Sequence, residues 1–339
     1  MKQKKNIYNH KRIISKIYIF LKILFVLLIS FLILNEKANL LLICFSLNLK
    51  KKFINKNLLN ELNNSKFIYK IKGIKFLKKC LKERIIKKNN DKLYFPKISV
   101  IIPVYNCQNS IKMSLKSIQY QKMDEYEIIL VNDFSNDNSI EIIKKIQKYD
   151  KRIKIINNQK NMGTFYSRSI GALKAKGKYI FVLDNDDIFF NENIFEKIFQ
   201  IAEINDYDIV EFKSFNIPNY QPNINEIKEG DFTQHKNNTI LKQPNLGIFP
   251  ISKNERYHAN DNLIWGKCIK SKIYKKAVNS LGYKRYSIYN IWTEDISIII
   301  IIFNFAESYI FLDIYGIFHL KSKSTTSYKI STNHRILSF

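Results

Sequence analysis

The stretch "KISVIIPVYN", residues 97–106, is an almost continuous run of apolar, largely β-branched residues. Such a run is typical of a strand that is covered on both faces of a sheet. Helical spacing then alternates with further strand-like runs at short intervals. Helices are predicted over 109–121, 135–150 and 164–177, and strands over 126–133, 153–159 and 178–184. This alternation predicts an α/β domain built on a doubly wound, mostly parallel sheet.

Polar side chains follow three of these strands at the point where each strand ends. The groups are Tyr105 with Asn106, Asn132 with Asp133, and the run 184–187, which contains three aspartates. In open α/β sheets, ligands bind beyond the carboxyl ends of the strands. We therefore expect these side chains to face one crevice. Aspartates packed this closely repel one another unless a cation lies between them.

Four segments resemble family 2 of the inverting glycosyltransferases: 97–121, 127–145, 161–187 and 292–295. The resemblance extends from about Lys97 to Tyr328. It implies an A-type nucleotide-sugar-binding fold and transfer of a sugar from a nucleotide-diphosphate donor, expected to be a UDP-sugar. It also implies a divalent cofactor, Mn²⁺ or Mg²⁺, and an acceptor hydroxyl on a glycan, a protein or a lipid.

The acidic run matches the Asp-x-Asp motif of that family. By resemblance, Asp186 is the direct metal ligand, and Asp184 reaches the donor ribose or a metal-bound water. Hard divalent cations take carboxylate oxygens together with phosphate oxygens and waters, which suits a diphosphate leaving group. The alternative interpretation is a polar turn without a ligand, since aspartate is common in turns.

The resemblance places Pro103 and Tyr105 at the donor site, with Tyr105 lining the base pocket. It makes Asp133 the acceptor for the imide hydrogen of uracil. The chain departs from the family pattern at Asn132 and Phe134, where Asp and Gly are usual. An ordinary helix cap is the alternative role for Asp133.

Two further donor-site candidates lie in "NMGTFYSRSIG", residues 161–171. Gly163 is expected to allow close approach of the backbone to the donor. Arg168 is a candidate partner for the donor phosphates or for the acidic run. The alternative is an arginine on a solvated helix surface.

The acceptor side is predicted from the second half of the chain. By resemblance, Asp295 in "WTED" is the general base and Glu294 binds acceptor hydroxyls; both also suit a helix start. His319 is a candidate further metal ligand or a structural histidine. Trp265 is expected to stack on the acceptor sugar or to fill the core.

The domain organisation is predicted from composition. Residues 1–16 form a basic tail, 17–34 a signal-anchor helix, 35–96 a helical stem and 97–330 the catalytic domain. That domain divides into a nucleotide-sugar-binding half, 97–213, and an acceptor-binding half, 214–330. Basic residues before 17–34 favour a cytosolic N-terminus, with the catalytic domain in the lumen of the Golgi or endoplasmic reticulum. A buried amphipathic helix, or one that lies on the membrane, is the alternative for 17–34.

The formal net charge is +27, which first suggests an anionic partner. Only seven of the 56 basic residues are arginines, and lysine is a poor reader of base edges. We therefore expect a solvated lysine surface and no nucleic-acid partner. The four cysteines show neither zinc-site nor disulfide spacing. Two other function classes stay open: an inactive relative that binds nucleotide-sugars, and a basic nucleic-acid binder.

Overall fold

The computed structural model describes residues 66–82, 95–229, 239–242, 264–283 and 294–320. The predicted tail, 1–16, and the predicted anchor, 17–34, lie outside these ranges. Within the described ranges, no helix has both the length and the apolar character needed to cross a lipid bilayer.

Helices and strands alternate through most of the described chain. In order, the elements are α1 (Lys66–Lys82), β1 (Ile98–Val104), α2 (Ile111–Gln119), β2 (Tyr126–Asn132), α3 (Ser139–Gln147), β3 (Ile153–Asn157), α4 (Thr164–Lys174), β4 (Tyr179–Val182), β5 (Ile188–Phe189), α5 (Ile194–Ile204), β6 (Ile209–Ile217), β7 (Lys228–Glu229), β8 (Thr239–Lys242), β9 (Lys267–Lys270), α6 (Ser271–Leu281), α7 (Glu294–Phe305) and β10 (Ser308–Leu320).

The described strands form one sheet in the order β3-β2-β1-β4-β9-β6-β10-β5, with β7 beside β6 and β8 beside β10. Strands β3, β2, β1 and β4 are parallel, as are β6 and β10. Strand β9 runs antiparallel to both of its neighbours, β4 and β6. The expectation of a mostly parallel sheet is therefore too simple, and the sheet is mixed. Apolar composition predicts burial of a strand but not its direction.

Both faces of the sheet are covered, which explains why the central strands lack polar alternation. On β1, Ile98, Val100, Ile102 and Val104 belong to a core with α2, α3 and α5, whereas Ile101 faces α4, α6 and α7. Each such buried aliphatic side chain contributes about 1.5–3 kcal/mol. The doubly wound arrangement was correctly predicted.

Helix α1, which lies in the predicted stem, packs on the sheet through Phe76, Leu77 and Cys80. A Cβ atom on Gly73 would lie 2.3 Å from the ring of Phe318. This glycine therefore allows close approach of the helix to β10.

The composition of segment 215–250, which is polar and contains four prolines, favours a long loop. The structure instead continues β6 to Ile217 and places the short strands β7 and β8 within this segment. Their partners are β6 and β10, far away in sequence, so local periodicity does not reveal them.

The parallel strands end at nearly the same level, which places the polar residues after them along one edge. Val104 at the end of β1 pairs with Asn132 at the end of β2. The pairing of β1 with β4 stops earlier, at Ile101 and Val182. Pro103 lies beyond that point, so its missing N–H costs no hydrogen bond to β4.

Candidate active site

The acidic turn 184–187 is held by side chains from other elements. Ser114 of α2 donates its hydroxyl to the carbonyl of Asn185 at 2.8 Å. Tyr220 donates to the carbonyl of Asp186 at 2.7 Å. The backbone of the turn is thus fixed from two directions, and its carboxylates are left to face the site. Sequence reasoning missed Tyr220, because it lies in a segment without a clear pattern.

Arg168 of α4 links two of the predicted site residues. One terminal nitrogen of its guanidinium donates to Asp184 at 2.6 Å, and the other donates to Asp295. The Arg168 side chain is buried, whereas the two carboxylates stay about one quarter exposed. The structure therefore brings the acidic turn and the N-terminal end of α7 together around one guanidinium. Arg168 is not an arginine on a solvated helix surface.

The environment of Asp295 favours its neutral form. Burial raises the pKa of this carboxyl, and the opposing effect of Arg168 does not cancel the shift. A carboxylate with a raised pKa is a stronger base once it is ionised. Asp295 thus has the electrostatic properties of a general base that Arg168 holds in place.

The negative charge of the acidic turn is only partly compensated. Burial raises the pKa of Asp186, and so do the negative charges of Asp187 and Asp184. Together they bring it to about 7. Among the described residues, no basic side chain lies within salt-bridge distance of Asp186. Asp184 pairs with Arg168 and Asp187 with His319, so Asp186 is the carboxylate of the turn without an ion-pair partner in the described ranges.

His319 on β10 lies against the same turn. Burial opposes its charged form, but Asp187 raises the pKa of the imidazole to about 9. The Nδ1 atom lies 2.9 Å from one oxygen of Asp187 and 3.0 Å from the other. His319 therefore lies beside the acidic turn, and its role as a metal ligand stays a prediction.

Asp133, a predicted donor-site residue, holds the loop that contains Asn158, Met162 and Gly163. Its carboxylate accepts hydrogen bonds from the side chain of Asn158 at 2.8 Å and from the backbone N–H groups of Met162 and Gly163 at 2.7 and 2.8 Å. Gly163 has a φ of 85°, a backbone conformation that favours glycine. Asp133 is buried and does not cap the helix that follows it.

The remaining donor-side candidates lie at the end of β1. The carbonyl of Pro103 accepts a hydrogen bond from the side chain of Asn185 at 3.1 Å, which ties β1 to the acidic turn. Tyr105 is 47% exposed, so its ring is available to a ligand. Asn132, in place of the usual Asp, donates to Asn157 and accepts from the N–H of Ser135.

A buried ion pair behind Asp295 was not predicted. Lys267 of β9 lies 3.1 Å from Glu211 of β6, and both side chains are almost fully buried. The charge of Lys267 also acts to lower the pKa of Asp295. Lysine within the strand-like run "KCIK" is the signal that sequence reasoning overlooked.

Two acceptor-side candidates have different outcomes. Trp265 is 9% exposed and stacks on the imidazole of His319, with 5.0 Å between ring centroids. It therefore forms part of the wall of the site. Glu294 begins α7, and its predicted contact with acceptor hydroxyls stays a prediction.

A sequence model of the family described as "Glycosyl transferase family 2" matches residues 99–274, slightly more than half of the chain. The chain belongs to glycosyl transferase family 2. The match includes the acidic turn, Asp133 and Arg168, and it ends before Asp295.

Individual members of glycosyl transferase family 2 are similar over shorter segments. Glycosyltransferase GlyG of Streptococcus pneumoniae serotype 4 is 35% identical over 113 residues, which are 33% of this chain and 37% of GlyG. An uncharacterized glycosyltransferase of Haemophilus influenzae is 41% identical over 99 residues, 29% of this chain and 40% of that protein. The chain thus spans well under half the length of these relatives.

The fold also resembles that of S. aureus TarS, a protein solved in complex with UDP. The TM-score is 0.52 with 19% identity, over 67% of this chain and 61% of the TarS 1-349 chain. A second TarS structure, in complex with UDP-GlcNAc, gives a TM-score of 0.51 over 66% of this chain and 58% of that chain. At this level of identity the similarity concerns the fold alone.

The residues present fit a divalent cation of the kind that family 2 implies. Asp186 supplies an ionisable carboxylate without a basic partner in the described chain, and the Nε2 atom of His319 has no hydrogen-bond partner there. No three His, Cys, Asp or Glu side chains of the described residues form a complete metal site. This is the composition expected where phosphate oxygens and waters supply the other ligands.

Proposed function

We propose that this family 2 member is an inverting glycosyltransferase that moves a sugar from a UDP-sugar to an acceptor hydroxyl. The single observation that carries the proposal is the double contact of Arg168, which joins Asp184 of the acidic turn to Asp295 of α7. A donor-binding carboxylate and a base are thus held on two sides of one guanidinium, as a displacement at a sugar carbon requires.

In this proposal, Asp295 removes the proton from the acceptor hydroxyl as its oxygen attacks the anomeric carbon. The attack displaces the nucleoside diphosphate in a single step and inverts the configuration at that carbon. Arg168 orients the Asp295 carboxylate and favours its charged form, which opposes the effect of burial on its pKa. Glu294, next in the chain, is proposed to bind acceptor hydroxyls.

Asp186 and His319 would hold the divalent cation, with Asp184 directed to the donor ribose or a metal-bound water. When bound, Mn²⁺ or Mg²⁺ supplies charge neutralisation for the departing diphosphate. One oxygen of Asp184 already accepts from Arg168. Asp184 is therefore less suited than Asp186 to direct ligation.

The nucleoside part of the donor is proposed to bind between Tyr105 and the loop that Asp133 holds. The exposed Tyr105 ring offers a stacking surface for a base. A carboxylate has about four lone-pair sites. Asp133 uses three of them on Asn158, Met162 and Gly163, which leaves one for the imide hydrogen of uracil. The UDP complex of TarS supports this choice of donor.

Attachment to a membrane through residues 17–34, with a lumenal catalytic domain, is part of the same proposal. This segment has eighteen residues, of which only Lys22 and Ser30 are polar, and that length just matches the bilayer core. Protease protection of the full-length chain in microsomes tests it. Digestion of the catalytic domain without detergent would contradict a lumenal position.

The activity is tested with the purified full-length protein and a panel of UDP-, GDP- and dTDP-sugars, with Mn²⁺ or with a chelator. We expect hydrolysis or transfer with a UDP-sugar and Mn²⁺ only. Asp295→Asn should lower turnover by about 10²–10⁴-fold while leaving donor binding intact. Asp206→Asn is a matched control, because Asp206 is exposed and its φ of 51° suits asparagine. Full turnover by Asp295→Asn would remove Asp295 as the base.

A further inference from the structure

The imidazole of His319 is held by one nitrogen and leaves the other available. Its Nδ1 atom lies within 3.0 Å of both carboxylate oxygens of Asp187. Across the described ranges, its Nε2 atom has no hydrogen-bond partner, and the side chain keeps 15% of its exposure. Since a carboxylate accepts hydrogen bonds, Nδ1 keeps its proton. A divalent cation would therefore displace the proton on Nε2 and bind the lone pair of that nitrogen.

Asp187 is placed to hold this ring and not to bind a ligand itself. Its side chain is fully buried, and Oδ1 also accepts the backbone N–H of Leu320 at 3.0 Å. The backbone N–H of Asp187 donates to the carbonyl of Asp184 at 3.1 Å. Asp187 thereby connects the acidic turn to β10 at His319 and Leu320.

Trp265 fixes the plane of the same ring. The indole lies almost parallel to the imidazole, at 13° and with 5.0 Å between centroids. It precedes Gly266, whose φ of 74° forms a turn and whose carbonyl accepts the N–H of Phe212 at 2.9 Å. The turn at Gly266 holds the indole against His319, so the imidazole cannot tilt toward β9 without displacing a buried aromatic ring.

We infer that Asp187 and Trp265 are positioning residues that fix the tautomer and plane of His319 and present its Nε2 atom as the nitrogen ligand of a divalent cation beside Asp186. The inference rests on the metal dependence in the proposed function. Histidines that bind metals almost always donate their other N–H to a carboxylate or carbonyl. Asp187 fulfils this condition from a position that a cation cannot reach.

The inference predicts metal selectivity. Mg²⁺ prefers oxygen ligands. Mn²⁺ is a transition-metal ion and binds imidazole nitrogen more readily than Mg²⁺ does. A well-positioned Nε2 atom should therefore favour Mn²⁺ over Mg²⁺. In Asp187→Asn, the new amide can donate to Nδ1, which moves the ring proton to Nε2 and removes the ligand atom.

The test measures binding of Mn²⁺ and of Mg²⁺ to the full-length protein with UDP present, by titration calorimetry. Asp187→Asn should weaken Mn²⁺ binding by about 10–100-fold. It should weaken Mg²⁺ binding less, so that the Mn²⁺/Mg²⁺ preference falls. Trp265→Leu should lower the same preference, and Trp265→Phe should retain it because an aromatic face is kept. UDP affinity without metal is the folding control.

The possible results separate the inference from the proposed function. Wild-type protein that binds Mn²⁺ with UDP, together with an unchanged preference in Asp187→Asn and Trp265→Leu, would overturn the inference and leave the proposed function in place. A parallel loss of Mn²⁺, Mg²⁺ and metal-free UDP binding would show a purely structural role and also overturn it. Wild-type protein without metal-dependent UDP binding would contradict the metal in the proposed function itself. If Asp187→Asn does not fold, the Mn²⁺/Mg²⁺ preferences of Trp265→Leu and Trp265→Phe test the inference.

Discussion

Arg168 donates a hydrogen bond to the carboxylate of Asp295, although 127 positions of sequence separate the two residues. Its other terminal nitrogen donates to Asp184, which binds no other basic side chain in the described part of the chain. Helix α4 thus supplies the cation that holds the proposed base next to the proposed donor site. Two carboxylates must lie at the two terminal nitrogens of one guanidinium. This is a stricter geometric condition than the presence of acidic residues at the same edge of the sheet.

Substitutions of Arg168 should distinguish its role in orienting Asp295 from the effect of its positive charge on the pKa of Asp295. Arg168→Lys keeps the positive charge but cannot reach both carboxylates in one plane, so we expect turnover to fall by about 10²-fold. Arg168→Gln should lower turnover further and move the acidic limb of the kcat profile to higher pH, because removal of the cation raises the pKa of Asp295. The measurement is kcat as a function of pH for both variants. An acidic limb that stays in place in Arg168→Gln would show that Arg168 does not act on the base.

Replacing Asp133 should loosen the loop that carries Gly163. In Asp133→Asn, an NH₂ group would face the N–H of either Met162 or Gly163, so at least one hydrogen bond is lost. We expect faster amide hydrogen exchange at these two residues and UDP affinity about tenfold lower, since each buried hydrogen bond to a charged group is worth about 1.5–3 kcal/mol. Hydrogen exchange by mass spectrometry and calorimetry check this. Lower affinity with unchanged exchange would instead assign Asp133 to the base contact alone.

Stability should depend on pH through Asp150. Burial opposes ionisation of this carboxyl, but hydrogen bonds from Arg152 and Gln119 and the charge of Arg152 lower its pKa. A group with a lowered folded-state pKa stabilises the fold above its unfolded value, about 3.9, and this contribution is lost as the pH falls below that value. Asp150→Asn should cost about 3–5 kcal/mol at pH 7, because it leaves Arg152 buried without its carboxylate partner.

Urea unfolding of wild type and Asp150→Asn at pH 7 and pH 3 measures this effect. The difference in unfolding free energy between the two proteins should shrink at pH 3. Glu125→Gln, in the exposed ion pair of Lys97 and Glu125, is the control, since surface ion pairs contribute little. A difference that stays constant with pH would mean that Asp150 acts through packing and not through its charge.

A methyl group at Gly73 should destabilise the protein, although helix propensity alone predicts the opposite. Gly→Ala in a helix interior is favourable by about 1 kcal/mol on propensity. Here the new Cβ would lie 2.3 Å from Phe318 and 2.6 Å from Phe190, and overpacking costs about 1–3 kcal/mol. Thermal unfolding compares Gly73→Ala with Lys75→Ala on the exposed face of α1. A higher Tm for Gly73→Ala would show that α1 does not pack on the sheet in solution.

The sequence by itself determined the central strands and the identity of the acidic turn. Strand β1 is buried at every position because both faces of the sheet are covered, and its mostly apolar, β-branched sequence predicts such a strand. Asp184, Asp186 and Asp187 follow β4 directly, so their position at the carboxyl edge needs only the chain order. The start of α7 at Glu294 and Asp295 was likewise predicted from local composition.

Tertiary structure alone decided the direction of β9, the partners of Asp133, the burial of Asp187 and the stacking of Trp265 on His319. Each depends on contacts between residues far apart in the chain, as the 132 positions between Asp187 and His319 illustrate. Local propensity shows that a side chain is apolar, charged or aromatic, but the partner of a buried charge is set by which elements pack together. The sequence thus supplied the chemical groups of the site, and long-range packing decided which of them hold one another.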